Sequence, residues 1–404
     1  MAVPKLRFNE FDNQWDKTTI NDQAQTVTSG SRDWAQYYSE SGDKFIRMTN
    51  LVRDGIYLDL SDLKFVQLPK DSNEGKRTSL KFGDILISIT AELGKLGWIP
   101  EGLGTAYINQ HTALVRMKDS IDSKFVAYSL STEKYNNKLN SLNDSGAKAG
   151  LNLGTIRNFE LIVPPKAEQT KIASFLSNVD EKISQLTQKH ALLSQYKQGM
   201  MQKLFSQQIR FKADDGSKFG KWVNKKIIEI ADYVDFRGKT PKKVDNGILL
   251  VTAKNIKQGY LDYSVSQEFI EPSDFDEVMR RGKVELNDVL ITTEAPLGNV
   301  ASVDRTDIAL AQRVIKYRGK IGLLDNLFLK QKFLSESFQE ILKSKATGGT
   351  VQGIKGSVLH QIPLIVPSKQ EQTKIASFLS AVDEKISQLT QKHALLSQYK
   401  QGMM

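Results

Sequence analysis

Residues 168–201, EQTKIASFLSNVDEKISQLTQKHALLSQYKQGMM, return at residues 371–404 with one change in 34, Asn178 becoming Ala381. An offset of 203 in a chain of 404 residues makes two halves, each ending in the same structure. The repeat is wider than this block. GLNLGTIRNFELIVPPK (150–166) faces GIKGSVLHQIPLIVPSK (353–369), sharing a Gly and then LIVP. KLRF (5–8) corresponds to QIRF (208–211), and Trp15 and Trp222 follow them. Residues 16–149 and 223–352 align only weakly, with echoes such as GDILIS (83–88) against NDVLIT (287–292). The order is variable, constant, variable, constant, with boundaries at 1–166, 167–207, 208–369 and 370–404.

The constant block predicts one long helix. Ile172, Leu176, Val179, Ile183, Leu186, His190, Leu193, Lys197, Met200 and Leu204 alternate spacings of four and three, a heptad seam. Pro164 and Pro165 bar a helix from entering from upstream. Such a helix is about 50 Å long at roughly 1.5 Å per residue. The second copy repeats the seam through Ile375, Leu379, Val382, Ile386, Leu389, His393, Leu396, Lys400 and Met403. Each helix is the natural partner of the other, and His190, Lys197 and their copies are expected to set register rather than bind metal. The second copy reaches Met404 without a counterpart of Leu204, and the KLRF segment is the sequence-level candidate to close that end.

The variable blocks read as mixed α and β. FGDILISITAELG alternates apolar and polar residues before Gly94 and Gly97, AYINQHTALVRM (106–117) reads as a strand, and residues 123–142 have helical spacing. Residues 284–303 read as strand–turn–strand and 324–346 as helical. The predicted fold class is α+β: two small α+β domains alternating with two long helices that pair as an antiparallel coiled coil.

Catalytic signatures are missing: no G-x-x-x-x-G-K-[ST], no G-x-G-x-x-G after a strand, no NPPY or DPPY, no H-E-x-x-H, no G-x-S-x-G. Cysteine is absent, which excludes disulfides and cysteine-held zinc. No apolar run reaches about 18 residues and MAVPKLRFNEF lacks a signal-peptide core, so a cytoplasmic location is expected. A net charge of +10 favours a polyanion.

The polar loops resemble readers of nucleic acid. SGSRDWAQYYS offers Ser29, Ser31, Arg32 and Trp34; nearby are Arg47, Asn50, Thr90, Lys95, Asn109, Gln110, His111 and Lys148. The second half offers Arg237, Lys239, Thr240, Lys242, Lys243, Lys254, Asn255, Thr292, Thr293, Gln312, Arg313 and Lys355. Arg takes guanine O6 and N7 with two hydrogen bonds, Asn and Gln read adenine likewise, and Lys neutralises phosphate. Each residue serves equally as a solvated turn or cap, and the Gly-rich loops 145–152 and 347–355 equally as hinges.

With the order variable block, LIVPP-x-EQ-x-x-IA-x-FL-x-x-x-DEKI, variable block, same ending, the chain resembles the specificity (S) subunits of type I restriction–modification systems. Stretches such as RGKTPKK, LLVTAKNIKQGYLD and TTEAPLGNVA resemble their target recognition domains. The resemblance implies that residues 1–166 and 208–369 each read half of a split double-stranded DNA site. It implies that the paired helices fix the gap and dock two methyltransferase (M) subunits, which carry S-adenosylmethionine and methylate adenine. Two restriction (R) subunits using ATP and Mg can join, and the S subunit has no catalytic site. The competing readings are a self-contained modification enzyme, a coiled-coil scaffold, or an orphan DNA-binding protein.

Overall fold

The computed structural model describes residues 6–70, 74–142, 150–236 and 241–404. The chain forms two compact units, residues 1–185 with 393–404, and residues 186–392.

In the first unit a sheet holds β1 (Ala24–Ser29), β3 (Ile85–Ser88), β4 (Leu96–Trp98) and β6 (Thr112–Met117) in the order β1-β6-β3-β4, all antiparallel. A smaller sheet includes β2 (Asp43–Ile46) and β5 (Ala106–Ile108), paired in parallel. Period-two alternation divides the large sheet between two cores. Ile85, Ile87, Ala113 and Val115 enter the main core with α1 (Ser123–Ser131) and α2 (Glu133–Ser141). Leu86 and Leu114 enter a second core with Ile46, Ala106 and Ile108. The expectation of apolar–polar alternation at residues 85–88 is thereby corrected: the strand is buried on both faces, so its apolar run is continuous.

The second unit repeats the plan. Its large sheet has the order β7-β12-β9-β10, with β7 (Ala231–Asp235), β9 (Val289–Thr293), β10 (Leu297–Ser302) and β12 (Val314–Gly319). β8 (Ile248–Val251) pairs in parallel with β11 (Ile308–Leu310). Val289, Ile291, Ile315 and Tyr317 face one core, Leu290 and Val314 the other.

Three further expectations are refined. Residues 106–117 are not one strand: β5 and β6 belong to different sheets, and Asn109–Gln110–His111 turn between them, the Asn109 side chain accepting from His111 N at 3.1 Å. Residues 123–142 form two helices because Thr132, in extended conformation, ends α1 and caps α2. Ser335 does the same between α4 (Asn326–Leu334) and α5 (Glu336–Ser344).

The constant blocks form α3 (Lys166–Phe205) and α6 (Lys369–Met403). Every named seam position of α3 and α6 is buried or half-buried. In the first unit Asp180 meets Lys400, and in the second Lys197 meets Asp383. In each unit the early part of one helix meets the late part of the other, so the pairing is antiparallel. Each helix start is pinned identically. Glu168 takes both guanidinium arms of Arg7 at 2.7 Å, and Glu371 takes those of Arg210 at 3.0 and 2.7 Å. Gln169 accepts from Asp122 N at 2.8 Å, and Gln372 accepts from Asp325 N at 2.8 Å. The shared EQ and RF are therefore tethers between constant and variable sequence.

Phe8 packs edge-on to Phe175 at 5.9 Å, as Phe211 packs on Phe378 at 5.9 Å, and Leu6, Arg7 and Phe8 line one groove with Met403 and Met404, so this part of the KLRF segment lies at the end of α6. Among the described residues no helix is long and apolar enough to cross a membrane.

Candidate nucleic-acid interface

In both units the polar side chains converge at one place, where the strand after the GD/ND turn ends and its neighbour in the large sheet begins. The scaffold behind it is held by a buried ion pair in each unit. Arg116 binds Asp84 with two contacts of 2.7 Å, and Arg318 binds Asp288 with two contacts of 2.7 Å, each carboxylate fully buried. This pair explains why GDILIS and NDVLIT echo one another. Gly83 and Asn287 hold the positive φ that places the aspartate.

In the first unit the cluster is Ser31, Thr90, Asn109, Gln110 and His111. Ser31 bridges to Asn109, and its carbonyl accepts from Gln110 N at 3.0 Å. Gln110 Nε2 lies 3.1 Å from His111 Nε2, and Thr90 Oγ1 lies 2.9 Å from His111 Nδ1. With the amide donating to Nε2, the imidazole donates from Nδ1 to the threonine.

In the second unit Thr293, Glu294, Gln312, Arg313, Thr347, Val351, Gly353, Ile354 and Lys355 surround a cavity of about 330 Å³. The buried pairs align Asp84 with Asp288 and Arg116 with Arg318, so Glu294 stands at the place of Thr90, Gln312 at that of Gln110 and Arg313 at that of His111. Arg313 Nε lies 2.7 Å from Glu294 Oε1, and Arg313 O accepts from Thr293 N at 2.9 Å. Gly353 bridges to Glu294 as Gly150 bridges to Thr90. A Cβ at Gly353 would lie 3.2 Å from Glu294 Cβ and 3.4 Å from Thr293 O, a close approach that favours glycine at the head of the second LIVP segment.

The remaining expected readers divide by burial. Asn50 is 1% exposed: its carbonyl oxygen accepts from Arg47 N and its amide donates to Asp59 O. Asn255 is 0% exposed and does the same with Thr252 N and Asp262 O. Both are corrected to loop-bracing residues, because no hydrogen-bonding edge is left for a base. Trp34 is corrected to core, packed between Phe45 and Tyr107. Thr292 is buried and accepts from Asn299 N, and Thr293 is buried with its hydroxyl on Arg313 O, so neither offers a side chain outward.

Ser29 is half-buried at the end of β1, its carbonyl taken by Arg77. Arg47 is bound to Asp62, and its guanidinium holds that carboxyl below its usual range. Lys95 pairs with Glu92 and Lys243 with Glu268. Arg32, Lys242, Lys254 and Lys355 are exposed. Lys148, Arg237, Lys239 and Thr240 lie outside the described residues. Glu294 escaped the sequence reading, whereas Thr347 and Gly353 lie in the Gly-rich loop 347–355 that it singled out.

The arrangement presents amides and an imidazole in one unit, and an amide, a guanidinium and a lysine in the other. Groups of these kinds can hydrogen-bond to base edges and phosphates.

The family described as the type I restriction modification DNA specificity domain matches residues 13–195 and 220–398. The chain is 27% identical over 242 residues to the type I restriction enzyme MjaVIII specificity subunit of Methanocaldococcus jannaschii, covering 57% of this chain and 56% of that one. It thus spans little more than half the length of that relative. It is 25% identical over 398 residues to the chain described as the MjaX specificity subunit of the same organism, covering 95% of this chain and 90% of that one. Among solved structures, the type I restriction–modification S subunit from M. genitalium superposes with a TM-score of 0.64 at 17% identity, covering 100% of this chain and 98% of that one. A chain from a type I R-M system structure on complex assembly and conformational transition gives 0.54 at 14% identity, covering 97% of each. These two likenesses establish the fold.

Proposed function

The chain belongs to the type I restriction modification DNA specificity family, and from that premise we propose that each of its units reads one half of a bipartite double-stranded DNA target. The carrying observation is a shared scaffold with exchanged side chains. The same strand ends, buried Arg–Asp pair and glycine bridge hold Asn109, Gln110 and His111 in one unit and Gln312 and Arg313 in the other. A constant frame bearing different hydrogen-bonding groups is what reading two different half-sites requires. The net charge of +10 supplies attraction to phosphate.

In this reading the chain is the non-catalytic member of its complex. Its two near-identical helices offer the same surface twice, which suits two copies of one methyltransferase subunit, and set the gap between the half-sites. Those subunits, with S-adenosylmethionine, methylate adenine; restriction subunits using ATP and Mg add cleavage.

The test is the methylome of cells making this chain with its M subunit, against cells lacking the chain. Adenine methylation at a split motif with a fixed gap, present only with the chain, is expected. Exchanging residues 223–352 for the corresponding block of a relative should change one half of the motif only. A stable complex with M that methylates no split motif would sink the proposal in favour of a scaffold.

A further inference from the structure

Each unit sets a bonded pair of side chains at the same two backbone places. Ile89 N donates to His111 O at 3.0 Å, as Thr293 N donates to Arg313 O at 2.9 Å. The residue after each donor carries the first side chain, and the acceptor residue carries the second. In the first unit Thr90 Oγ1 lies 2.9 Å from His111 Nδ1. In the second Glu294 Oε1 lies 2.7 Å from Arg313 Nε. The residue before each acceptor is the same, Gln110 and Gln312. One pair of slots therefore differs between the units, beside a glutamine common to both.

The chemistry of each pair determines which groups are left to meet a base. A carboxamide nitrogen can only donate, so Gln110 Nε2, 3.1 Å from His111 Nε2, makes that ring nitrogen the acceptor. The ring proton then sits on Nδ1 and goes to Thr90. Both ring nitrogens are thus used inside the cluster, and His111 N is held by Asn109 Oδ1 at 3.1 Å. What remains is the Gln110 carbonyl with its second N–H, the acceptor and donor that match adenine N6 and N7. In the second unit the slot itself carries the donors. With Nε taken by Glu294, the terminal nitrogens of Arg313 supply the two N–H groups that guanine O6 and N7 accept.

We propose that this slot pair sets the base each unit reads. Thr90 and His111 are positioning residues that aim Gln110 at an adenine, and Glu294 is the positioning residue that aims Arg313 at a guanine. The inference rests on the reading of each unit as a DNA half-site reader, and assigns residues and bases within it. It makes the pair transferable as a unit. An arginine at place 111 needs a carboxylate at place 90 to hold it, and a carboxylate there without the arginine repels phosphate.

The experiment is selection from a randomised duplex library by the full chain in complex with its M subunits. The forms compared are the unaltered chain, Thr90→Glu with His111→Arg, and each substitution alone. The unaltered chain should enrich adenine at one position of the first unit's half-site and guanine at one position of the second's. The double variant should turn that adenine into guanine, shifting the guanine-to-adenine ratio by about tenfold or more. The other half-site, unchanged, is the internal sign of a folded complex. His111→Arg alone should shift the ratio several-fold less, since nothing holds its arginine. Thr90→Glu alone should lose the adenine preference without gaining guanine. The reciprocal exchange, Glu294→Thr with Arg313→His, makes the same test in the other unit and should turn guanine into adenine there. A split sequence whose bases neither exchange moves, or His111→Arg alone matching the double variant, overturns the proposal and leaves half-site reading intact. An unaltered chain that enriches no split sequence overturns that reading as well.

Discussion

Lys400 Nζ lies 2.6 Å from Asp180 Oδ1 in the first unit, and Lys197 Nζ lies 2.6 Å from Asp383 Oδ1 in the second. Both lysines hold seam positions that an apolar residue would ordinarily fill. The aspartates, one step from Val179 and Val382, reach across to neutralise them. Each aspartate also takes a hydrogen bond from its variable domain: Tyr128 donates to Asp180 at 2.6 Å and Gln331 to Asp383 at 2.7 Å. Burial, with this bond to Asp180 second, pushes the Tyr128 hydroxyl pKa well up, so it stays a donor. One constant residue thus fixes helix register and anchors a variable domain through whichever donor that domain supplies.

Removing the aspartate should therefore cost more than removing the pair. Asp180→Ala leaves Lys400 half-desolvated beside the Tyr128 ring and should destabilise the first unit by about 2–4 kcal/mol. The double variant Asp180→Ala with Lys400→Met restores an apolar seam and should recover at least half of that loss. Urea unfolding of the three proteins checks this; a double variant as unstable as the single one would show that the lysine charge is not the cost.

Lys332 gives the second unit a pH signature. It is buried, and burial pushes its pKa down to about 8. The unfolded lysine titrates near 10.4. Below about pH 8 both states hold the proton and the full desolvation cost is present. Between pH 8 and 10.4 only the unfolded state keeps it, so this group makes the fold more stable as pH rises, by about 1.4 kcal/mol per unit. Lys332→Met should remove that slope and raise stability at pH 7. The difference in unfolding free energy between the two proteins, followed from pH 7 to 10, should narrow; a constant difference would refute the burial argument.

Asn255 and Gln312 separate bracing from reading. Asn255→Ala leaves the buried Ser266 carbonyl and the half-buried Asp262 carbonyl without this donor and should cost about 1–3 kcal/mol of stability. Gln312→Ala removes a half-buried side chain at the rim of the cavity and should alter DNA discrimination. Thermal unfolding beside binding to matched and mismatched duplexes distinguishes the two roles.

The same pair marks where sequence stops being informative. The helices were legible because a heptad seam is a one-dimensional signal: Ile172 to Leu204 carry it whatever lies nearby. The two α+β domains were legible from the same logic at shorter range. Asn50 and Asn255 were misread because an amide serves a backbone turn as well as a base, and only burial decides. The strand break at Asn109 was hidden because residues 106–117 look uniformly extended; their division between two sheets is a tertiary fact. Glu294 carried no signal, since its meaning depends on Arg313, 19 residues away, arriving 2.7 Å from it.

That relation yields the sharpest test of base reading. Arg313 is 56% exposed on its side chain and Glu294 40%, so the pair contributes at most about 1 kcal/mol to the fold and can be altered without unfolding it. Glu294 holds the guanidinium by Nε, and both residues line the cavity. Arg313→Ala in the complex with M subunits should weaken binding to the matched duplex by about 1–3 kcal/mol and relax preference at one base pair of one half-site. Glu294→Gln keeps the shape but removes a negative charge beside DNA. It should raise binding to random duplex and reduce the ratio of matched to random binding, since the arginine is no longer held in one orientation. Competition binding at two salt concentrations separates the outcomes. If Arg313→Ala weakens matched and random duplexes equally, with one fewer counterion released, Arg313 is a phosphate contact and the reading of that half-site lies with Gln312 and its neighbours.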